Sequence, residues 1–516
     1  MRKSWLCIFM AFFPLCLMAQ GEELQLMKGG CTPDLVADGN AHRASRRLSA
    51  IRKDWDPAKT YHQLVILFSF SDLDFLDNHP KAYYERLFNE EGFNEGQGPG
   101  CVADYFRTQS NGLFNLQFDV YGPYKVSTKA CPYEEPTTST RYHGTDAISA
   151  ATTLFLAEHP DVDFSQYDWD NNGDVDQVIY VFAGPGGNIS DALGHIWPTT
   201  NYFSTHTTAD GKRINYYTVS SEYFTETIPS GIGTICHEFS HSLGLPDLYP
   251  VGNNLPYASV DEWDLMDGGN YLNWGWCPPS YSSLEKMLLG WQQPIELTEA
   301  TTITDMKPVS EGGDAYMIKH TDNEYLLLEN RQWTGWDAGA PGKGLVIFHV
   351  NYSESAWRGN VVNSFSSEEN FRYKLIPADN KMFSVWEKEL GTRHKYLHDN
   401  RMNKIHLSTA PYPYEENDEL TDTSVPAALM QTKNAEGEYF LSKPVTDILM
   451  SDDGLISFDL MGGTTDIKVT RQTVSLKDVV YYDLQGRQIT NPVWGNVYVV
   501  RDAGGNTRKI LYIGEK

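Results

Sequence analysis

Strand-like and helix-like patterns of apolar residues alternate along the first half of the chain. Two runs of consecutive apolar residues, 64–68 and 178–182, predict buried strands. Residues 113–120 alternate between apolar and polar positions, which predicts another strand. Helices are predicted at residues 81–89, 102–108 and 147–158. This mixture of strands and helices is typical of an α/β or α+β fold, and we predict the α+β class.

The pattern changes after about residue 291. Helical periodicity fades there, and short apolar runs such as 325–329 and 345–350 are separated by turn residues. We therefore predict a first folded domain at 59–295, a β-rich domain at 296–460 and a small C-terminal β-sandwich at 466–516. The Gly-rich residues between the last two predict a linker.

The N-terminus has the pattern of a signal peptide over residues 1–19. Arg2 and Lys3 precede an apolar stretch at 6–18 that is too short to span a bilayer comfortably; a membrane anchor is the alternative. Residues 20–58 are polar and irregular, which predicts a propeptide or linker. Since the chain has no other long apolar run, we expect no transmembrane segment in the mature protein.

Composition narrows the choice of partners. The 516 residues imply about two to four domains, and the net charge of -27 repels phosphate backbones, so nucleic acid is not an expected partner.

Without the two cysteines of the signal peptide, five remain: Cys31, Cys101, Cys131, Cys236 and Cys277. An odd number with no short spacing argues against a disulfide framework or a cysteine zinc cluster.

The clearest chemical pattern is His-Glu-x-x-His at residues 237–241. On a helix, His237 and His241 lie one turn apart on the same face, where two imidazoles can bind Zn²⁺. Glu238, next to the first ligand, is placed to act as general base on a zinc-bound water and then as acid to the leaving amine. This arrangement indicates hydrolysis by a metal-activated water.

Two carboxylates compete for the role of third zinc ligand. Gly244 lets the chain turn sharply after the helix, which favours Asp247, at the position where the metzincin pattern has its third ligand. Glu262 is the rival, at a spacing similar to that of proteases that take a glutamate from a second helix. Met266 is a candidate for a methionine turn beneath the zinc; its alternative is an ordinary core methionine.

The segment from His237 to Asp247 resembles the His-Glu-x-x-His-x-x-Gly-Leu-Pro-Asp motif of the immune inhibitor A family of secreted metallopeptidases. Other stretches that resemble this family are residues 102–112, 263–269, 289–291, 329–332 and 344–349. The resemblance covers about residues 60–350. It implies a metzincin-like endopeptidase with zinc, structural calcium and synthesis as a zymogen.

A second candidate metal site lies at residues 168–176. Oxygen-bearing side chains recur at every second position, and Gly173 suits a tight turn, which predicts a structural Ca²⁺ loop. It departs from the EF-hand loop because Ile179 stands where the last glutamate belongs. An acidic turn before a strand is the alternative. The proposed calcium ligands are Asp168, Asp170, Asn172, Asp174 and Asp176.

The two ends of the chain suggest export and latency. Cys31, within the predicted propeptide, is a candidate zinc-capping thiolate, although an unpaired or disulfide-bonded cysteine is the favoured interpretation. Residues 480–487 and 495–500 resemble the small β-sandwich sorting domains of proteins secreted by Gram-negative bacteria. This resemblance implies passage through outer-membrane export machinery, and a location outside the cell or on its surface.

These patterns together predict a secreted zinc endopeptidase that hydrolyses extracellular proteins or peptides. We expect the strand at about residues 217–223 to line the cleft and pair with extended substrate. One alternative is a non-catalytic surface-binding protein that keeps a zinc site, but Glu238 argues against it, because structural zinc sites are usually closed by four protein ligands. Glycan hydrolysis is a weaker alternative, since no carboxylate pair stands out.

Overall fold

The computed structural model describes eleven segments of the chain: residues 51, 53–137, 140–188, 192–224, 228–251, 259–381, 407–463, 480–483, 486–490, 497–501 and 507–511. The predicted signal peptide, Cys31 and most of the predicted propeptide lie outside the described residues. Among the described residues, no helix is both long enough and apolar enough to cross a membrane.

The helices are α1 (Pro80–Asn89), α2 (Val102–Gln109), α3 (Thr145–Glu158), α4 (Gly233–Ser242), α5 (Ser283–Leu288) and α6 (Glu354–Arg358). The strands of the first half are β1 (Thr60–Ser69), β2 (Asn115–Lys125), β3 (Val178–Pro185), β4 (Thr199–Thr207) and β5 (Arg213–Tyr223). The helices and strands predicted for this half are confirmed, with small differences at their ends.

These five strands form one mixed sheet in the order β2-β1-β3-β5-β4. The neighbouring pairs are parallel except for β4, which runs antiparallel to β5 at the edge. Both faces of β1 are buried: Leu64, Ile66 and Phe68 pack with α3 on one side, and Val65 and Leu67 face the opposite core. Burial on both faces explains why β1 appears in the sequence as a continuous apolar run.

The prediction that residues 217–223 pair with substrate is wrong for residues 217–219. This stretch belongs to β5, which is hydrogen-bonded to β3 on one side and to β4 on the other. Residues 217–219 are paired on both sides and have no free edge to offer a peptide. The pairing with β4 ends at Val219, so the prediction stays untested for residues 220–223. Over residues 213–219 the edge strand beside β5 is β4, so an extended substrate that adds to the sheet there would pair with β4.

The β-rich pattern of the second half is confirmed. Its strands are β6 (Ile295–Glu296), β7 (Thr301–Met306), β8 (Tyr316–Lys319), β9 (Glu324–Arg331), β10 (Gly344–Asn351), β11 (Tyr373–Leu375), β12 (Val445–Met450) and β13 (Ile456–Leu460). They form one sheet in the order β11-β10-β9-β8-β6 and a smaller one in the order β12-β13-β7.

The sheet β11-β10-β9-β8-β6 is buried on both faces at its central strands, β9 and β10. On β9 and β10, Leu326, Leu328 and Ile347 face a core shared with the smaller sheet, while Leu327 and Phe348 face the large core. That large core also contains residues of α2, α4 and β1. The two halves of the chain therefore meet through a common apolar interior.

The described residues of the tail form a four-stranded antiparallel sheet. Its strands are β14 (Val480–Tyr482), β15 (Gln488–Ile489), β16 (Val497–Arg501) and β17 (Thr507–Leu511), in the order β15-β14-β16-β17. A sandwich needs two packed sheets, so the sandwich remains a prediction.

Candidate metal centre

Helix α4 carries the His-Glu-x-x-His residues, and its first nine positions are buried. The helix begins at Gly233. The preceding backbone is engaged elsewhere, because the Ser230 amide donates to the Glu222 carbonyl and the Gly231 amide to the Trp274 carbonyl. Ser230 and Gly231 therefore lie outside the helix.

Three buried side chains converge at the end of this helix. The Nε2 atoms of His237 and His241 each lie 3.3 Å from Oδ1 of Asp247. All three side chains are at most 2% exposed, and none of the three atoms has a hydrogen-bond partner. Buried polar atoms without partners are costly, and two imidazole nitrogens with one carboxylate oxygen suit Zn²⁺. The arrangement therefore fits a metal ion.

The far side of each imidazole is held by the backbone. Nδ1 of His237 donates to the Leu265 carbonyl and Nδ1 of His241 to the Leu245 carbonyl, both at 2.8 Å. A carbonyl can only accept, so the proton of each neutral ring sits on Nδ1. Each Nε2 atom then carries an unshared lone pair that faces the other two proposed ligands, as a metal-binding histidine requires.

The structure places Asp247, and not Glu262, with the two histidines. The chain leaves α4 through Gly244, whose φ of 97° is the left-handed turn expected from the sequence. Burial alone would raise the pKa of Asp247, but the adjacent His241 and His237 hold it well below its usual range. Burial alone would likewise lower the pKa of His237, and Asp247 raises it.

Glu238 is fully buried beside the edge strand. The hydroxyl of Thr200, on β4, lies 3.0 Å from its Oε2 atom and 2.6 Å from its main-chain oxygen. Thr200 also contacts Thr218 on β5, which donates to Gln177. The candidate general base is thus fixed by a polar network on the sheet. No local pattern marks Thr200 in the sequence.

Residues 265–266 support the metal centre through their main-chain carbonyl groups. Besides the Leu265 carbonyl that holds His237, the Met266 carbonyl accepts from the Leu248 amide at 2.9 Å. The Met266 side chain is fully buried in the large core. The segment proposed as a methionine turn therefore supports both the first histidine and the loop that bears Asp247.

The acidic loop brings together only part of its predicted ligand set. Carboxylate oxygens of Asp168, Asp170 and Asp176 lie within 4.8 Å of one another. Asp174 instead forms an ion pair with Arg213, and the Asn172 amide donates to Asp170.

The surroundings of this loop are mixed in charge. Asp168 pairs with Lys212 at 2.6 Å, which places a cation beside the acidic group. Asp170 and Asp176 line a cavity of about 770 Å³ that also reaches Ser242 at the end of α4. Solvent ions therefore have a path to the loop.

Comparison with known proteins identifies the class of the domain that carries this site. A mixed sheet with a buried histidine pair, a carboxylate and a neighbouring glutamate is the arrangement of a metallopeptidase domain. Residues 58–290 match the family model described as immune inhibitor A peptidase M6, catalytic domain. This stretch of the chain is therefore similar to the catalytic domain of the M6 metallopeptidases.

Several curated relatives match part of the chain. The pre-pro-metalloprotease PrtV of Vibrio cholerae serotype O1 is 24% identical over 274 residues, 45% of this chain and 30% of the relative. Immune inhibitor A of Bacillus thuringiensis subsp. alesti is 25% identical over 43% of this chain and 38% of its own length. A putative secreted metallopeptidase of Arthroderma benhamiae is 24% identical over 37% and 31%. The match spans about a third of the length of these relatives.

Proposed function

We propose that this protein is a zinc-dependent endopeptidase that acts on proteins or peptides outside the cell. The observation that supports it best is the convergence of three buried, unpartnered ligand atoms next to Glu238. His237, His241 and Asp247 would hold the ion. A set of three protein ligands leaves a position open for water and substrate, whereas structural zinc sites usually have four.

The ion, when bound, supplies Lewis acidity that lowers the pKa of water and polarises a carbonyl group. Glu238 takes the proton of the attacking water on its carboxylate and delivers it to the nitrogen of the departing amine. Thr200 orients that carboxylate from β4. The buried surroundings of Glu238 strengthen its electrostatic interaction with the reacting groups.

Substrate binding is proposed at the exposed edge of β4. A peptide in extended form gains affinity there through main-chain hydrogen bonds, and the flanking side chains give preference. Thr200 belongs to this strand and contacts Glu238, so a bound peptide would pass beside the general base.

The first test compares the purified protein, after removal of the propeptide, with Glu238→Gln on an unfolded protein substrate, with zinc content measured for both. We expect the variant to keep its zinc and to lose at least about 100-fold in rate, the lower end of what general acid–base catalysis contributes. A zinc-loaded wild type that cuts no protein would favour the alternative, a binding protein that retains a zinc site.

We also propose that Asp168, Asp170 and Asp176 bind a structural Ca²⁺. Three carboxylates close together repel one another, and Lys212, which pairs with Asp168, offsets only one of the three negative charges. A bound Ca²⁺ would offset the rest. Calcium at 100 times its Kd should stabilise the fold by about 2.7 kcal/mol, measured as a rise in melting temperature. Asp170→Asn should reduce this rise, whereas Asp174→Asn should leave it, because Asp174 pairs with Arg213. An equal response in both variants would contradict the proposed ligand set.

Secretion, latency and sorting through the tail are part of the same proposal. A signal peptide at 1–19, a propeptide within 20–58 and a sorting domain at 466–516 predict that the exported protein lacks its first residues. Mass mapping of the protein recovered from culture medium and from the cell surface tests this. A recovered chain that still begins at Met1 would argue against export of this kind.

A further inference from the structure

The most informative contact outside the helix motif joins Asp247 to the β-rich half of the chain. Asn360 follows helix α6 in the left-handed conformation, with φ of 52°, and is only 3% exposed. Its Oδ1 accepts from the Asp247 amide at 2.7 Å, and its Nδ2 donates to Asp247 Oδ2 at 2.7 Å. One side chain therefore holds both the backbone and the carboxylate of this residue.

The orientation of the Asn360 amide follows from its partners. The Asp247 amide can only donate, so it must face the amide oxygen, and the Asn360 NH₂ group is then directed at Oδ2. This bond occupies one carboxylate oxygen and leaves Oδ1 facing the two histidines. A neutral amide achieves this without adding a second negative charge to a buried site.

We propose that Asn360 is a positioning residue of the metal centre, which holds Asp247 as a ligand through a single oxygen. The β-rich half then completes a site whose three ligands all lie in the first half. This inference rests on the proposed function, because it assumes that the three converging side chains bind zinc. Groups that hold metal ligands in this way contribute about 10- to 100-fold to metal affinity.

A purely structural role is the alternative to be separated. Asn in the left-handed conformation commonly ends a helix, and Asn360 occupies such a position after α6. Asn363 provides a matched comparison in the same segment. Its amide donates to the carbonyls of Leu248 and Tyr373, so it anchors the neighbouring residue of the loop without touching a ligand.

The test measures zinc affinity by competition with a chelator for the full-length wild type, Asn360→Gly and Asn363→Ala. Glycine adopts the left-handed conformation without strain, so Asn360→Gly removes the side chain and keeps the helix end. We expect it to bind zinc about 10- to 100-fold more weakly. Asn363→Ala should lower the melting temperature of the metal-free protein but change zinc affinity by less than about threefold.

The visible spectrum of the Co²⁺-substituted proteins separates positioning from general stability, because it reports the ligands around the ion. The spectrum should change in Asn360→Gly and stay as in the wild type in Asn363→Ala. Unchanged affinity and spectrum in Asn360→Gly, with zinc bound to the wild type, would overturn this inference alone. A wild type that binds no zinc would overturn the proposed metal centre together with it.

Discussion

Single residues decide which carboxylate can complete the metal site. Asp247 is fully buried, its Oδ1 atom faces both histidine Nε2 atoms, and its pKa is held low by these imidazoles. A carboxylate oxygen in this position suits a cation shared with the two imidazole nitrogens. Glu262, also buried, lies in a short 3₁₀ segment and is not part of the converging group. These contacts favour Asp247 as the third ligand.

We predict that Asp247→Ala loses zinc, whereas Glu262→Ala keeps about one equivalent. Removal of a direct ligand should cost more affinity than the roughly 10- to 100-fold expected for a group that only positions one. Metal analysis after gel filtration measures the content, and circular dichroism checks that both variants fold. Zinc retained in Asp247→Ala and lost in Glu262→Ala would reverse the assignment.

The residues of the centre differ in how far the sequence could predict them. His237 and His241 share one helix, so their spacing alone places both rings on one face. Asp247 follows through a sharp turn at Gly244, and the local pattern favoured it without excluding Glu262. Asn360 comes from 113 residues further along the chain. Nothing in its neighbourhood marks it, because its role depends on a contact created by folding.

At the scale of elements, the position of α4 depends on close packing with the 3₁₀ segment Gly268–Gly275. A Cβ atom on Gly233, the first residue of α4, would lie 2.0 Å from the Asn270 carbonyl oxygen. That oxygen belongs to the backbone and cannot rotate away. The absence of a side chain at this position therefore lets the helix approach the segment that follows Met266.

We predict that Gly233→Ala pushes α4 away from this segment and destabilises the protein by about 1–3 kcal/mol, the usual cost of overpacking. Zinc affinity should fall as well, because His237 would move relative to the Leu265 carbonyl. Urea unfolding measures the first effect and chelator competition the second. Gly339→Ala is the control, since its Cβ would meet its nearest atoms at an ordinary 3.5 Å. Equal stability of the two variants would contradict the packing argument.

Elements were predictable where burial imposes a simple pattern. The strands β1 and β3 are buried along nearly their whole length and appear as apolar runs. The edge strand β4 is mostly exposed beyond its first two residues, so its sequence has little of a strand's character. The pairing of β5 was predicted wrongly because a strand's own residues do not reveal how many neighbours it has.

For the whole molecule, the predicted boundary near residue 295 does not separate two cores. The β9 and β10 strands bury one face against the catalytic half, and a buried ionic cluster reinforces the contact. Arg331 donates to the Ser280 carbonyl and pairs with Glu329 and Asp337, all at negligible exposure. The change in sequence pattern after residue 291 is real. Such a pattern cannot show which residues pack against the other face of a sheet.

We therefore predict that residues 53–463 unfold as one cooperative unit, and that Arg331→Met lowers the stability of the whole unit. Loss of one partner from a buried ionic cluster leaves Glu329 and Asp337 uncompensated, at a cost of about 3–5 kcal/mol. Calorimetry should show a single main transition that shifts as a whole. Chelation of zinc should shift the same transition, since Asn360 couples the two halves at Asp247.

Arg86→Met is the control for this experiment, because Arg86 pairs with Glu90 and Glu95 at the exposed surface of α1. Exposed ion pairs contribute little to stability, so its melting temperature should stay close to that of the wild type. If Arg331→Met instead splits the transition, so that the catalytic half melts separately from β9 and β10, the halves are independent domains. Chelation would then shift only the catalytic transition, and the metal centre would not depend on the β-rich half.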